Sequence, residues 1–305
     1  MIPKTIILVS LTVIFYVGFI LYSDFNDFVQ SISTFKLEYL FPIFALFLFA
    51  TFVKGIRQQY LSKTVGISIP FKKNILLHYA GYSMTMTPGG SGELIKTYYL
   101  KKKYGYEISK SFPIFVIERF YDLLGITTII AISLFYVQII EVAIILFFVI
   151  FLLVLIYAAI NSQSFFRFIS NIFSKLPFFK RFVISIEESQ DIFKSLTSKK
   201  NIVKNWFLSI ISFLIYAIGF YLVFVGFDVN LDILFTTFVT FSSILFGYLT
   251  FLPGGIGVTE ISLVGLLNNK GIELSLATSI MILLRLSGWW FLTVVGFITT
   301  KLFLK

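Results

Sequence analysis

The chain reads as an all-α polytopic membrane protein, with six transmembrane spans and two re-entrant helical hairpins arranged as an inverted repeat. Three observations predict this. Of its 305 residues 58% are hydrophobic and only 13% charged, with a mean hydropathy of +0.93. In lipid only structures that satisfy their own backbone are viable, and for a single chain of this pattern that means helices. Apolar runs of roughly 20 residues, the length that crosses a bilayer, recur along the chain. Finally, a Pro-Gly-Gly-x-Gly motif occurs twice within apolar sequence, as Pro88, Gly89, Gly90, Ser91, Gly92 and as Pro253, Gly254, Gly255, Ile256, Gly257. Gly105, Glu107, Ser109 and Arg119 follow the first copy. Gly271, Glu273, Ser275 and Arg285 follow the second at a single offset of 166 residues, the motif itself being offset by 165. Such spacing marks an internal repeat.

Taken in order, the run from Thr5 to Tyr22 is too long for a cleaved signal segment and lacks a small-residue cleavage site, so it is expected to be a retained span. Tyr39 to Ile56 is the second. Asn74 to Thr87 and Ser91 to Leu100 are too short to cross. Together they are expected to form a hairpin whose tip is the Pro-Gly-Gly turn. Pro113 to Phe135 and Glu141 to Ile160 are spans. Asn161 to Lys204 is the one sizeable polar stretch; Phe165, Phe166, Phe168, Phe178 and Phe179 alternate there with Arg167, Lys175, Lys180 and Arg181, a pattern suited to an interfacial helix. Asn205 to Phe227 is the next span. Leu231 to Leu252 is long enough to cross, but the repeat pairs it with Ile256 to Leu267 as a second hairpin. Leu276 to Ile298 completes the set. The expected organisation is one integral-membrane domain over 1–305, with repeat 1 at about 74–135, a connector at about 161–204 and repeat 2 at about 231–300.

Orientation follows from lysine and arginine. With the N-terminus inside, only Lys36 and Lys270 of the 25 basic residues fall outside, and Arg119 and Arg285 fall within spans. Asp24, Asp27, Glu38, Asp228, Asp232 and Glu273 gather on the outer side. The expected location is therefore the cell membrane, with both termini cytoplasmic. The net charge of +10 reflects topology and attraction to anionic lipid, and no nucleic-acid partner is expected. Three crossings between the hairpins make the repeats inverted, the arrangement used for alternating access.

Cysteine is absent and His78 is the single histidine, so thiol chemistry and multi-histidine metal sites are excluded, and no cofactor or metal is expected. Six ionisable residues are expected at membrane depth: Glu93, Glu118, Arg119, Asp122, Glu260 and Arg285. Charges there are costly and face cavities or one another. Arg119 and Asp122 are spaced to pair on one helix, and Glu118 shares that face. One reading has the arginines bracing carboxylates; the other has them forming a phosphate site, for which the guanidinium fork is suited. Helices starting after Gly92 and Gly257 would aim N-terminal dipoles at the same place. Tyr82 and Tyr248, just before the motifs, are further lining candidates, and Lys96 is placed at the mouth of the first hairpin. Two arginines against four carboxylates would leave excess negative charge, so Glu93 and Glu260 are candidate proton carriers.

Three segments together resemble a known family. They are Thr87-Pro88-Gly89-Gly90-Ser91-Gly92-Glu93, then Glu118-Arg119-Phe120-Tyr121-Asp122, then Leu252-Pro253-Gly254-Gly255-Ile256-Gly257-Val258-Thr259-Glu260. They are similar to the flippase-like transmembrane domain of lysylphosphatidylglycerol synthetases, over nearly the whole chain. The resemblance implies lipid translocation through cavities between re-entrant helices, with Glu93, Arg119, Asp122 and Glu260 as functional polar residues. No soluble synthase domain accompanies it here, so enzymatic synthesis of aminoacylated lipid is not expected. The expected function is a lipid flippase for an anionic phospholipid or a polyprenyl-phosphate-linked lipid. Arg119 and Arg285 would hold phosphate from opposite cavities. Pro88, Gly89, Gly90, Gly92, Pro253, Gly254, Gly255 and Gly257 would form the gating tips, with Glu93, Glu118, Asp122 and Glu260 at the site. The alternatives are an integral-membrane lipid-phosphate transferase and a non-transporting partner of a lipid synthase or glycosyltransferase. Membrane lipids are the expected partners; a homodimer and such an enzyme partner are left open.

Overall fold

A computed structural model of the chain describes residues 14–85, 94–137, 139–165, 167–168, 190–250 and 252–304. The start of the first predicted span, the first motif with Glu93, and most of the aromatic-basic connector lie outside the described residues. Those described are helical, with no strand among them. The helices are α1 (14–22), α2 (Phe25–Ser33), α3 (Leu40–Thr64), α4 (Phe71–Gly81), α5 (Ile95–Tyr104), α6 (Ile108–Val137), α7 (Ile140–Asn161), α8 (Gln190–Leu196), α9 (Lys199–Gly226), α10 (Ile233–Leu249), α11 (Val258–Asn269), α12 (Leu274–Leu284) and α13 (Phe291–Leu304). A π-helical turn, Arg285–Trp290, joins α12 to α13 without interruption.

Five of these stretches are long and apolar enough to cross a bilayer: Leu37–Thr64, Ile108–Val137, Ile140–Asn161, Lys199–Gly226 and Leu274–Phe303. They coincide with the second to sixth predicted spans. The chain is a multi-pass membrane protein. α10 has 17 residues and so reaches about 25 Å; it stops at Thr250, short of the length expected from its apolar run. α4, α5 and α11 are shorter still.

The element order recurs further than the sequence motifs suggest. Shifted by 165 or 166 residues, α2 falls on α8, α3 on α9, α4 on α10, α5 on α11, and α6 on the α12–π–α13 helix. α7 stands between the two sets. The packing follows the same relation. α4 lies against α13, and α10, its counterpart, lies against α6, the counterpart of α13. Exchange of partners in this way is the signature of a two-fold relation. Its centre is marked by α3 and α9, which pack antiparallel: Lys36 N–H donates to Gly226 O at one end and Arg57 reaches Ser209 toward the other. Between them the hydroxyls of Thr51 and Tyr216, themselves 165 positions apart, meet at 2.6 Å.

The two short helix pairs open at opposite ends of this bundle. α4 starts and α5 ends where Tyr106 bonds the Ser68 backbone and Lys103 bonds Phe303 O. α10 starts and α11 ends where Lys270 covers the Phe235 ring, beside the Lys36–Asp228 ion pair. Asp232 caps α10 by accepting from Leu234 N–H, as N-cap aspartates do. α4 and α10 thus run inward from opposite ends of the bundle, and their inner ends approach one interior space.

Candidate functional site

Between the inner ends of α4 and α10 there is a cavity of about 160 Å³, room for on the order of ten waters or a small head group. Tyr82 and Thr85 reach it from the end of the α4 segment; Tyr248, Leu252, Gly254 and Gly255 reach it from the end of α10. Three cations stand on its wall, Lys54, Arg119 and Arg285, and no carboxylate does among the described residues. The remaining wall combines the rings of Phe213, Tyr216, Phe220, Phe241 and Trp289 with aliphatic side chains and the hydroxyl residues Thr240, Ser243 and Thr259.

Each cation has its counter-charge behind it. Asp122 lies 2.9 Å from Arg57, 3.2 Å from Lys54 and 3.6 Å from Arg119. Arg57, only 1% exposed, also donates to Ser209 Oγ and to the Glu118 carbonyl. A second buried set backs the first. Lys96 Nζ sits 2.8 Å from Glu118 Oε2 and donates to Gln58; Gln58 bonds His78 and donates to Asn74, which donates to Gly55 O. Buried charges need such pairing, because desolvation would otherwise cost several kcal/mol per ion.

In the other half the arrangement differs. Arg285 Nε is 2.7 Å from Glu260 Oε1, and its Nη2 donates to Gly254 O at 2.8 Å. Tyr16 on α1 donates to Glu260 and accepts from Arg285, and the guanidinium lies over Trp289. Glu260 also accepts the Gly257 N–H. The start of α11 therefore carries its own carboxylate, which fills the place where an N-terminal dipole attracts anions. The π turn begins at Arg285, whereas α6 runs as regular helix through Arg119. A π turn rotates the side chains that follow it and recurs at functional sites.

The glycines of the second motif earn their place sterically. Gly254 and Gly255 have φ of +60° and +65°, a region that disfavours side chains. A Cβ on Gly255 would sit 2.8 Å from the Gly247 Cα, so the loop and the end of α10 touch backbone to backbone.

The sequence-predicted residues therefore distribute as follows. Arg119, Arg285, Gly254 and Gly255 line the cavity, with Tyr82 and Tyr248; Glu118, Asp122 and Glu260 are buried counter-ions behind it; Gly257 is the N-cap of α11, and Pro253 precedes Gly254 in the loop before it. Pro88, Gly89, Gly90, Gly92 and Glu93 lie outside the described residues. Three expectations are corrected. Arg119 and Arg285 share one cavity rather than facing two, because Tyr82 and Thr85 at the end of the α4 segment and Tyr248, Gly254 and Gly255 after α10 border the same interior space. Lys96 is not at a mouth but fully buried. The buried charge is not negative: Lys54, Arg57, Lys96, Arg119 and Arg285 stand against Glu118, Asp122 and Glu260 among the described residues. The negative excess that motivated proton carriage by Glu260 is absent.

Comparison with known proteins gives one family. Residues 7–296 match the family described as "Lysylphosphatidylglycerol synthase TM region". The chain is also similar to a UPF0104 membrane protein of Methanocaldococcus jannaschii, 23% identical across 97% of this chain and 94% of the relative. A second UPF0104 membrane protein, of Pyrococcus horikoshii, is 24% identical across 82% of this chain and 83% of the relative. A third, of Methanothermobacter thermautotrophicus, is 25% identical across 79% and 72%.

Proposed function

The chain belongs to the lysylphosphatidylglycerol synthase transmembrane-region family, and on that premise we propose that it is a translocase moving an anionic lipid between leaflets. One observation carries this reading: the interior cavity between the inner ends of α4 and α10 has Lys54, Arg119 and Arg285 on its wall, no described carboxylate, and otherwise aromatic, aliphatic and hydroxyl side chains. Guanidinium groups bind phosphate through paired hydrogen bonds, and apolar walls suit the glycerol or prenyl portion that follows it. The helix pairs act as re-entrant hairpins and gate the cavity from opposite leaflets, as inverted repeats do in transporters. The basic end of the bundle is cytoplasmic and the membrane is the cell membrane. A phospholipid and a polyprenyl phosphate share the anionic phosphate that this wall addresses. An aminoacylated head group, which adds positive charge, fits three cations poorly.

The test is translocation in proteoliposomes. Protein-containing vesicles are expected to move fluorescent phosphatidylglycerol faster than protein-free ones, read by quenching of the outer leaflet. Arg119→Lys and Arg285→Lys keep the charge but lose the fork, and each is expected to slow movement at least tenfold. Lysyl-phosphatidylglycerol is expected to move more slowly than phosphatidylglycerol. Equal rates with and without protein, or unchanged rates in both variants, would sink the proposal.

A further inference from the structure

Asp122 stands where three cations converge, but it does not line the cavity. Lys54 and Arg119 lie between it and the open space, while Arg57 closes the cluster from behind, 1% exposed. Its Oδ1 is within ion-pair distance of both Lys54 and Arg57, and its Oδ2 lies 3.6 Å from Arg119. Its charge is therefore shared among three cations and committed to none of them alone. An anion entering the cavity would meet Lys54 and Arg119 from the opposite side, competing with Asp122 for the same two charges.

This geometry differs from that around Arg285. There the carboxylate of Glu260 is fixed by three donors, Arg285, Tyr16 and the Gly257 N–H. Glu260 is thus a fixed strut. Asp122 is a competitor, and competition at a transport site sets how readily cargo leaves.

Resting on the translocase reading above, we propose that Asp122 is the resident counter-anion of a phosphate seat formed by Lys54 and Arg119, and that it tunes the seat for release. A site that holds its ligand too well does not turn over, because every increment of affinity in the bound state deepens the well the ligand must leave. Removing the carboxylate strips the competitor and leaves the cations for the ligand alone. Binding then tightens while transport slows. A purely structural salt bridge behaves differently: its loss weakens the fold and with it the site, so affinity and transport fall together.

The experiment uses two readouts on the full chain. Dihexanoyl-phosphatidylglycerol, a soluble anionic lipid, is titrated in detergent against tryptophan emission, since Trp289 lines the cavity. Translocation is read in proteoliposomes as above. Asp122→Asn is expected to bind about tenfold more tightly and to transport at least fivefold more slowly than the unaltered chain. The double variant Lys54→Met with Asp122→Asn removes one charge of each sign, and its affinity is expected to return to within threefold of the starting value. It also stands in should Asp122→Asn not fold. Asp122→Asn binding no better than the unaltered chain, or a double variant whose binding departs by more than tenfold, overturns the role assigned to Asp122. If the unaltered chain neither binds nor moves the lipid, the translocase reading itself has failed.

Discussion

Lys96 illustrates how much residue identity depends on what packs around it. It stands at the start of α5, followed by Lys101, Lys102 and Lys103, and a lysine near such a run ordinarily snorkels to the interface. Here its stem is pressed against Gly81 and its ammonium is held by Glu118 and Gln58 over the Phe115 ring. Lys96→Met would leave Glu118 buried without its closest partner, and breaking a buried pair from one side costs about 3–5 kcal/mol. The expected result is a clear drop in thermal stability in detergent, with part of the loss recovered by adding Glu118→Gln. No recovery in the double variant would mean that the pair is not the source. Arg119, Asp122 and Arg285 were legible in the sequence because charges stand out in apolar runs and the first two share a helix face. Lys54 and Arg57 were not. They sit near the end predicted for their span, where a basic residue usually marks the membrane boundary. α3 instead continues to Thr64, and the groups that satisfy them, Asp122 and Ser209, come from helices far along the chain.

At the scale of elements, the helix pair of the second half owes its shape to the close backbone approach of Gly247 and Gly255. Gly247 near the end of α10 has no room for a Cβ, because Thr259 Oγ1 occupies that position and the Gly255 Cα lies 3.2 Å away. Gly247→Ala must push the Pro-Gly-Gly loop off α10, which would carry Gly254 O away from Arg285. The expected outcome is at least tenfold slower lipid movement with normal expression. Thr259→Ala removes the obstructing hydroxyl and is expected to restore part of the rate in the same chain. Full activity of Gly247→Ala alone would show that the loop position is unimportant. The motif itself was readable, since Pro and Gly in apolar sequence signal a turn. The π turn at Arg285 was not, because Arg285–Trp290 fits the same apolar pattern as the regular helix around Arg119. Which of two equivalent arginines sits on a π turn is decided by tertiary contacts such as those with Glu260 and Gly254.

For the whole molecule, two independent arguments point to the same arrangement. One is the distribution of lysine and arginine along the sequence. The other is which residues meet at each end of the bundle. Ser31 meets Ser275, Lys36 meets Asp228 and Lys270 covers Phe235 at one end. Lys110 approaches Gly66, Lys204 covers Tyr60 and Lys103 meets Phe303 at the other. The first end carries Asp24, Asp27, Glu38, Asp228, Asp232 and Glu273; the second carries Lys63, Lys101, Lys102, Lys103, Lys110, Lys199, Lys200 and Lys301. The repeat was visible from its glycines and arginines, but its reach to α2–α3 and α8–α9 was not, because those helices share fold without sharing a motif. The chain has no cysteine, so single cysteines report position cleanly. Lys101→Cys and Lys199→Cys are expected to react with a membrane-impermeant reagent only from the cytoplasmic side of inverted and right-side-out vesicles. Asp228→Cys and Lys270→Cys are expected to react only from the opposite side. Lys270 decides most, because it lies at the base of the second helix pair and Lys101 near the base of the first. If both are labelled from one side, the pairs do not enter from opposite leaflets, and alternating access through two inverted halves loses its geometric basis.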